Sequence, residues 1–204
     1  MRIYILDISK CNNKKLFSLY DNDPEYRREK FDRTKTTSDK LRILGGSFLL
    51  AHISKEYNFP YELLSASADG KPFFKGASFS VSLSNKENIC AAVVSDSPVG
   101  IDVELKKQQK ISLSSRYFSK KEILLLEKSS DKDLTFTEIW TRKEAFFKAA
   151  SPRNYTLSAL CTADRFATFE NTTYELMTFC EDNFVFSACK EGTIDKVIKT
   201  HICI

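Results

Sequence analysis

Hydrophobic and polar positions alternate along the chain with two different periods. Residues 2–8 alternate with a period of two, which predicts a first β-strand, and this period returns in three stretches between Phe79 and Leu105. Helical spacing is found at 24–31, from a cap at Ser38 or Asp39 to about Tyr57, from a capping box of Ser119 and Glu122 to about Leu126, and from about Asp133 to Ala150. Gly45-Gly46 is costly inside a helix and predicts close packing against another element. Residues from about 155 to 204 are strand-like again. The pattern predicts an α+β protein.

A short internal similarity hints at two related halves. Residues 86–91 and 181–186 each combine a polar turn with a following strand, and they lie about half the chain length apart. Such a repeat predicts two similar α+β lobes joined near residues 100–110, which we place at 1–101 and 102–204. Two unrelated hairpins explain the match equally well.

Composition excludes several kinds of active site. Of the 204 residues, 42% are hydrophobic and 28% are charged, which is typical of a globular protein. The two histidines argue against a multi-histidine zinc site and leave little room for a Ser-His-Asp triad. The six glycines form neither a GxGxxG motif nor a Walker loop. Phosphate binding would therefore need lysines, arginines and backbone amides, and a metal would need carboxylates.

Charge and cysteine content give expectations about partners and compartment. The net charge of +4 suits anionic ligands or an acidic partner and is too small to indicate a nucleic-acid binder. The six cysteines show no CxxC spacing, which predicts small buried side chains in a reducing compartment. With no signal peptide and no membrane-spanning stretch in the sequence, we expect a cytoplasmic protein.

The stretch from Val99 to Leu105 (VGIDVEL) is the first with chemical content. On a strand, Asp102 and Glu104 share one face with Cβ atoms about 7 Å apart. A hard divalent cation between two such carboxylates would relieve their repulsion. From spacing alone, two solvated acids on an exposed strand edge are the better interpretation.

The stretch from Trp140 to Lys148 (WTRKEAFFK) is the second. On a helix, Trp140, Glu144 and Lys148 follow one another at intervals of four residues and lie along one face. This stripe fits a carboxylate and an ammonium directed into a cleft, with the indole anchoring the helix. An ordinary surface pair of glutamate and lysine fits it as well.

Taken together and in this order, the two stretches resemble the surfactin-type 4′-phosphopantetheinyl transferases. That family has a (V/I)-G-(I/V)-D-(V/I)-E motif followed by (W/F)-x-x-K-E-(A/S)-x-x-K, and this chain matches both. Supporting matches are Gly70-Lys71-Pro72, the segment 118–122 (FSKKE), and a basic and then helical region at 24–50.

The resemblance implies a reaction and a fold. Members of the family transfer the phosphopantetheine arm of coenzyme A to a serine of an apo acyl or peptidyl carrier protein and release adenosine 3′,5′-bisphosphate. It also implies two similar lobes related by a pseudo-twofold axis, each a small antiparallel sheet packed with helices, with the active site in the cleft between them. We expect a monomer with no nucleic-acid or membrane partner.

The resemblance also assigns roles to individual residues. It implies that Asp102, Glu104 and Glu144 hold Mg²⁺, or Mn²⁺, and that Glu144 helps to accept the serine proton. Lys148 would contact a pyrophosphate oxygen, and Trp140 would be structural. The remaining candidates for coenzyme A contacts are Lys71, Arg42, Ser82 and Lys143.

Two departures from the family pattern bear on activity. The family has Ser-His-Ser where this chain has Ser82-Leu83-Ser84, and leucine cannot donate the hydrogen bond of that histidine. A glycine-rich loop usually follows the second motif, whereas this chain has Ala150-Ser151-Pro152-Arg153-Asn154. Leu83 therefore keeps open a second hypothesis, a non-catalytic homologue that binds coenzyme A or a carrier protein. The retained acids favour an active enzyme.

Overall fold

A computed structural model describes residues 1–106, 111–152 and 155–203. The chain forms two compact units, the first made of Met1–Asp96 and Val197–Ile204 and the second of Ser97–Lys196. Both contain strands and helices, so the predicted α+β class is confirmed. Among the described residues, no helix combines the length and the apolar character needed to cross a membrane.

Ten strands and six helices are found in the described residues. The strands are β1 (Arg2–Asp7), β2 (Leu64–Ala66), β3 (Pro72–Phe74), β4 (Ser80–Lys86), β5 (Ile89–Ser95), β6 (Val99–Leu105), β7 (Phe166–Phe169), β8 (Thr172–Glu181), β9 (Phe184–Glu191) and β10 (Ile198–Ile202). The helices are α1 (Asn13–Phe17), α2 (Glu25–Arg33), α3 (Thr37–Glu56), α4 (Ser114–Tyr117), α5 (Lys120–Lys128) and α6 (Lys132–Ala150). Every stretch for which we predicted a strand or a long helix contains one.

The N-cap of α5 is the predicted one, whereas the N-cap of α3 lies at a different residue. The capping box at Ser119 and Glu122 opens α5 as expected. The cap of α3 is Thr36, whose hydroxyl accepts a hydrogen bond from the Asp39 amide at 3.1 Å, so the predicted cap at Ser38 or Asp39 is wrong. Thr36 is one of several adjacent side chains able to cap this helix.

The first unit contains a four-stranded sheet in the order β10-β1-β5-β4, and α3 packs on it. The core includes Leu44, Leu50 and Ile53 of α3, all fully buried. A Cβ atom on Gly45 would lie 2.7 Å from Cys90 Sγ and from an Ile8 methyl carbon, which explains the glycine in this helix. The close packing predicted from Gly45-Gly46 is therefore confirmed.

Pairing in this sheet differs from the prediction. Strand β10 pairs in parallel with β1, whereas the other pairs are antiparallel, so the expectation of a purely antiparallel sheet is wrong here. Parallel neighbours need a long crossover connection, and the connection between β1 and β10 spans most of the chain. For the same reason, Val197–Ile204 group with the first unit and not with the predicted lobe 102–204.

The second unit contains an antiparallel sheet in the order β6-β9-β8-β7, with α6 packed against β6 and β9. It begins at Ser97, five residues before the predicted boundary, because β6 as a whole pairs with β9. Helix α6 contributes the buried Ala145, Phe146 and Ala149 to the core of this unit.

The internal similarity falls on equivalent hairpins. Each unit contains a strand, then a long helix, then a hairpin whose second strand pairs antiparallel with the first strand. The similar residues form the turn of β4–β5 in one unit and of β8–β9 in the other, with Glu87 and Asp182 both at a φ of 51°. The pseudo-twofold relation of the lobes and a site between them remain predictions.

The cysteines are only partly where we expected them. Cys90 and Cys189 are buried, but Cys161, Cys180 and Cys203 are exposed, so the prediction of small buried side chains is wrong for these three. Cys180 lies near the end of β8, Cys203 follows β10, and Cys161 lies in the connection before β7. All six are free thiols.

Candidate active site

Strand β6 presents a glycine and two acidic side chains to helix α6. Alternation along the strand buries Val99, Ile101 and Val103 on one face and turns Gly100, Asp102 and Glu104 to the other. Asp102 is only 6% exposed. The interpretation of these acids as solvated side chains on an open strand edge is therefore wrong for Asp102.

Gly100 permits the close approach of α6 to this strand. A Cβ atom at this position would lie 2.0 Å from the Ala145 carbonyl oxygen and 2.7 Å from the Ala149 amide nitrogen. Any larger residue would displace the helix. The glycine of the first motif thus determines how near the acid of the second motif comes to the acids of β6.

Lys148 connects the two elements directly. Its ammonium nitrogen donates to Asp102 Oδ1 at 2.8 Å and to the backbone oxygen of Ile101 at 2.9 Å. Lys148 follows Glu144 by one helical turn, so both side chains lie on the face of α6 that meets β6. The stripe predicted from spacing is therefore directed at the acids and is not a simple surface pair.

The charges of Asp102, Glu104 and Lys148 act on the carboxyl group of Glu144. Burial is the main reason that its pKa is raised, and the charges of Asp102 and Glu104 raise it further, while Lys148 opposes the shift. The structure thus brings Asp102, Glu104, Glu144 and Lys148 together within one unit. The result is a cluster of three carboxylates and one ammonium, in which Asp102 is buried and the other three side chains are half-buried.

These carboxylates fit a hard divalent cation by their chemistry. They offer only oxygen donors, and the charges of Asp102 and Glu104 add to the burial that raises the pKa of Glu144, so a cation would relieve part of that shift. In the part of the chain that the structure describes, no group of three or more His, Cys, Asp or Glu side chains stands as a ready-formed metal site. Asp102 is instead engaged by Lys148.

Two other residues of the second motif are structural. Trp140 packs against Phe136 in a stacked arrangement and against Tyr117 edge-on, as predicted for an anchoring indole. Lys143 was a candidate for a coenzyme A contact, but it is fully buried and forms an ion pair with Glu122. With no exposed atom to offer a ligand, Lys143 has no place in the binding site of this conformation.

The three residues of the first unit that are candidates for coenzyme A contacts lie on different elements of that unit. Arg42 on α3 pairs with Asp39 and donates to the Glu87 carbonyl oxygen at 3.3 Å. Lys71 lies half-buried in a turn before β3, and Ser82 is buried on β4. Their predicted contacts with the nucleotide end of coenzyme A remain predictions.

The positions that depart from the family pattern are partly described. Leu83 is half-buried and packs against the core of the first unit. After α6, Ser151 adopts a left-handed conformation with a φ of 45° and Pro152 follows. Arg153 and Asn154 of the predicted loop lie outside the described residues.

Sequence reasoning missed the polar groups that support α6. Ser187, which pairs with Asp102 across β6 and β9, exchanges hydrogen bonds with Thr141 at 2.8 Å and with Thr178 at 2.9 Å. Isolated hydroxyl residues carry no periodic signal in a sequence. Glu122 was recognised as part of a capping box, but its pairing with Lys143 could not be read from local spacing.

Comparison with known proteins shows which family the sequence of this chain resembles. Residues 98–192, which contain all four clustered side chains, match the profile of the 4′-phosphopantetheinyl transferase superfamily. The chain is 33% identical to the 4′-phosphopantetheinyl transferase psf-1 of Bacillus pumilus over 128 residues, covering 60% of this chain and 55% of that protein. The chain is related to the Sfp-type 4′-phosphopantetheinyl transferases. This confirms the resemblance drawn from the two motifs.

Two further relatives of this phosphopantetheinyl transferase homologue extend the comparison. The 4′-phosphopantetheinyl transferase Sfp of Bacillus subtilis (strain 168) is 33% identical over 149 residues, covering 69% of this chain and 64% of that protein. The 4′-phosphopantetheinyl transferase gsp of Aneurinibacillus migulanus is 29% identical over 143 residues, covering 67% and 60%. The matched region thus spans 55% to 64% of the length of these curated relatives.

Proposed function

We propose that this protein transfers the 4′-phosphopantetheine arm of coenzyme A to a serine of an apo acyl or peptidyl carrier protein. The observation that carries the proposal is the cluster of Asp102, Glu104, Glu144 and Lys148, gathered by the contact of α6 with Gly100. The names of the related proteins and the match over residues 98–192 support it. We further expect a monomer that works in the cytoplasm.

The proposed reaction is a substitution at phosphorus. The serine oxygen forms a bond to the β-phosphorus of coenzyme A, the bond from that phosphorus to the bridging oxygen breaks, and adenosine 3′,5′-bisphosphate leaves. Asp102, Glu104 and Glu144 would hold Mg²⁺ or Mn²⁺. When bound, this ion would neutralise charge on the pyrophosphate.

The protein's own side chains have distinct tasks. Glu144 accepts the serine proton, directly or through a water. Lys148 supplies an ammonium to a pyrophosphate oxygen. Arg42, Lys71 and Ser82 of the first unit would bind the coenzyme A nucleotide.

The direct test is transfer itself. The protein would be incubated with coenzyme A, MgCl₂ and several apo carrier proteins, and the carriers examined by mass spectrometry for the phosphopantetheine adduct. Asp102→Ala and Glu144→Ala should abolish the adduct, while Glu127→Ala, which removes an exposed acid of α5, serves as a matched control. Absence of an adduct on every carrier would refute the proposal.

The second candidate function is binding without transfer. Leu83 in place of the family's histidine is the feature that favours it. In that case coenzyme A or a carrier would bind, as measured by calorimetry, with no adduct. The complete set of three acids and Lys148 argues for the enzyme, because a binding protein has no use for a proton acceptor beside a cation site.

A further inference from the structure

A second charged group lies beneath α6, apart from the acid cluster. Lys143 and Glu122 are both 0% exposed, and the Lys143 ammonium lies 2.8 Å from Glu122 Oε2. Burial lowers the pKa of Lys143, and the charge of Glu122 opposes that shift. Charged side chains this deeply buried are uncommon and need a complete set of partners.

The partners of this pair are complete on both sides. Besides Glu122, the Lys143 ammonium donates to the backbone oxygens of Leu157 and Leu160, which accounts for its three hydrogens. Glu122 accepts from the Ser119 amide at 2.7 Å, and from the amide and hydroxyl of Thr162 at 2.7 and 2.8 Å. The pair therefore ties α6 to the start of α5 and to the segment 157–162.

Stability alone does not account for such a pair. Replacing a buried ion pair by uncharged residues of similar volume is often neutral or stabilising, because desolvation offsets the attraction between the charges. What a bonded pair provides is a defined arrangement of the elements it joins. Here that arrangement concerns the helix that carries the acid cluster.

The position of Lys143 on α6 shows which side chains the buried pair would hold in place. It immediately precedes Glu144 and lies five residues before Lys148, within one rigid helix. The contact at Gly100 limits the distance between α6 and β6, and buried side chains of α6 pack against the sheet. Lys143 adds directional, charged bonds to a different part of the unit, and these bonds restrain the rotation of the helix about its axis more narrowly than apolar contacts do.

We propose that Glu122 and Lys143 are positioning residues that set the rotation of α6 and thereby hold Glu144 and Lys148 against Asp102. The catalytic consequence rests on the proposed transferase function. The structural consequence, the alignment of Lys148 with Asp102, does not.

The test replaces the pair by the uncharged double variant Glu122→Gln/Lys143→Met. Glutamine retains an acceptor for the capping box, and no unpaired buried charge remains. The matched control is Lys121→Met/Asp164→Asn, which removes an exposed ion pair that also joins α5 to the segment following α6. Urea unfolding, followed by the fluorescence of Trp140, the only tryptophan, reports stability.

The first readout needs no activity. A double-mutant cycle with Asp102→Asn and Lys148→Met gives the coupling between these residues, in the wild type and in the double variant. We expect the coupling to fall to less than half in Glu122→Gln/Lys143→Met and to stay unchanged in the control. A purely structural pair would leave it unchanged in both.

The second readout is the transfer reaction. We expect kcat to fall about tenfold or more in Glu122→Gln/Lys143→Met, because small displacements of catalytic groups are costly, with the KM for coenzyme A within about threefold of wild type. Unchanged coupling and unchanged kcat in a folded double variant would overturn the proposal. Should that variant not fold, Glu122→Asp, which keeps the charge and shortens the side chain by one methylene, carries the same measurements. If the wild-type protein shows no transfer, the proposed function is refuted, whereas the coupling between Asp102 and Lys148 still tests the positioning role.

Discussion

Replacement of Gly100 by alanine tests the origin of the acid cluster. The new methyl group would stand 2.0 Å from the Ala145 carbonyl oxygen, whereas a carbon and an oxygen in contact are about 3.3 Å apart. Helix α6 would have to move by more than about 1 Å, because the obstructing atom belongs to its backbone and cannot rotate away. The movement would carry Glu144 and Lys148 away from Asp102.

The expected cost follows from packing. Forcing a methyl group into a filled core costs about 1–3 kcal/mol and sometimes more, and this contact lies at the severe end because it is between backbone atoms. The reduced freedom of the unfolded chain returns about 0.4–1 kcal/mol. We therefore expect Gly100→Ala to lower the free energy of unfolding by about 2–3 kcal/mol.

Urea unfolding followed by Trp140 fluorescence measures this change. Gly192→Ala is a suitable comparison, since Gly192 lies in the same unit at a φ of 75° with nothing within 4 Å of its Cβ position. That variant should lose only about 1 kcal/mol through backbone strain. A loss below about 1 kcal/mol in Gly100→Ala, with transfer at the wild-type rate, would refute the reasoning.

Three further predictions concern charge and substrate binding. Because the pKa of Glu144 is raised in the folded protein, its ionisation lowers the free energy of unfolding at pH 7. Glu144→Gln should therefore unfold at a higher urea concentration than the wild type at pH 7. This difference should disappear as the pH falls to about 4.3, because Glu144 is then protonated in the folded wild type. Equal urea midpoints at pH 7 would contradict this. Lys148→Met should bind Mn²⁺ about fivefold more tightly by electron paramagnetic resonance, since Asp102 loses its ion pair, whereas Lys106→Met should not change the affinity. Leu83→His should lower the KM for coenzyme A roughly fivefold by adding a donor, and an unchanged KM would mean that another group makes this contact.

Much of the active-site arrangement could be predicted because it depends on local rules. Alternation on a strand places Asp102 and Glu104 on one face, and helical spacing places Glu144 and Lys148 on one face. That the two faces meet was not contained in either period. This meeting of strand and helix was expected only through the family resemblance. In the structure, the absence of a side chain at Gly100 makes the close approach of α6 possible.

Other features could not be predicted because their causes are distant in sequence. Lys143 and Glu144 are adjacent charged residues on one helix, yet Lys143 is fully buried and Glu144 belongs to the acid cluster. The difference arises from Glu122 and from carbonyl groups near residue 160, which no local pattern connects to Lys143. The parallel pairing of β10 with β1 is of the same kind.

That pairing affects how the chain is made. As the protein is synthesised, β1 emerges first, and one of its edges stays open until β10 has left the ribosome, after all of residues 97–196. An open strand edge is a template for pairing with other chains. Residues 97–196 contain every strand of the second unit's sheet, so that sheet can form before β10 closes the sheet of the first unit. Premature termination within residues 97–196 would leave the edge of β1 exposed and favour aggregation.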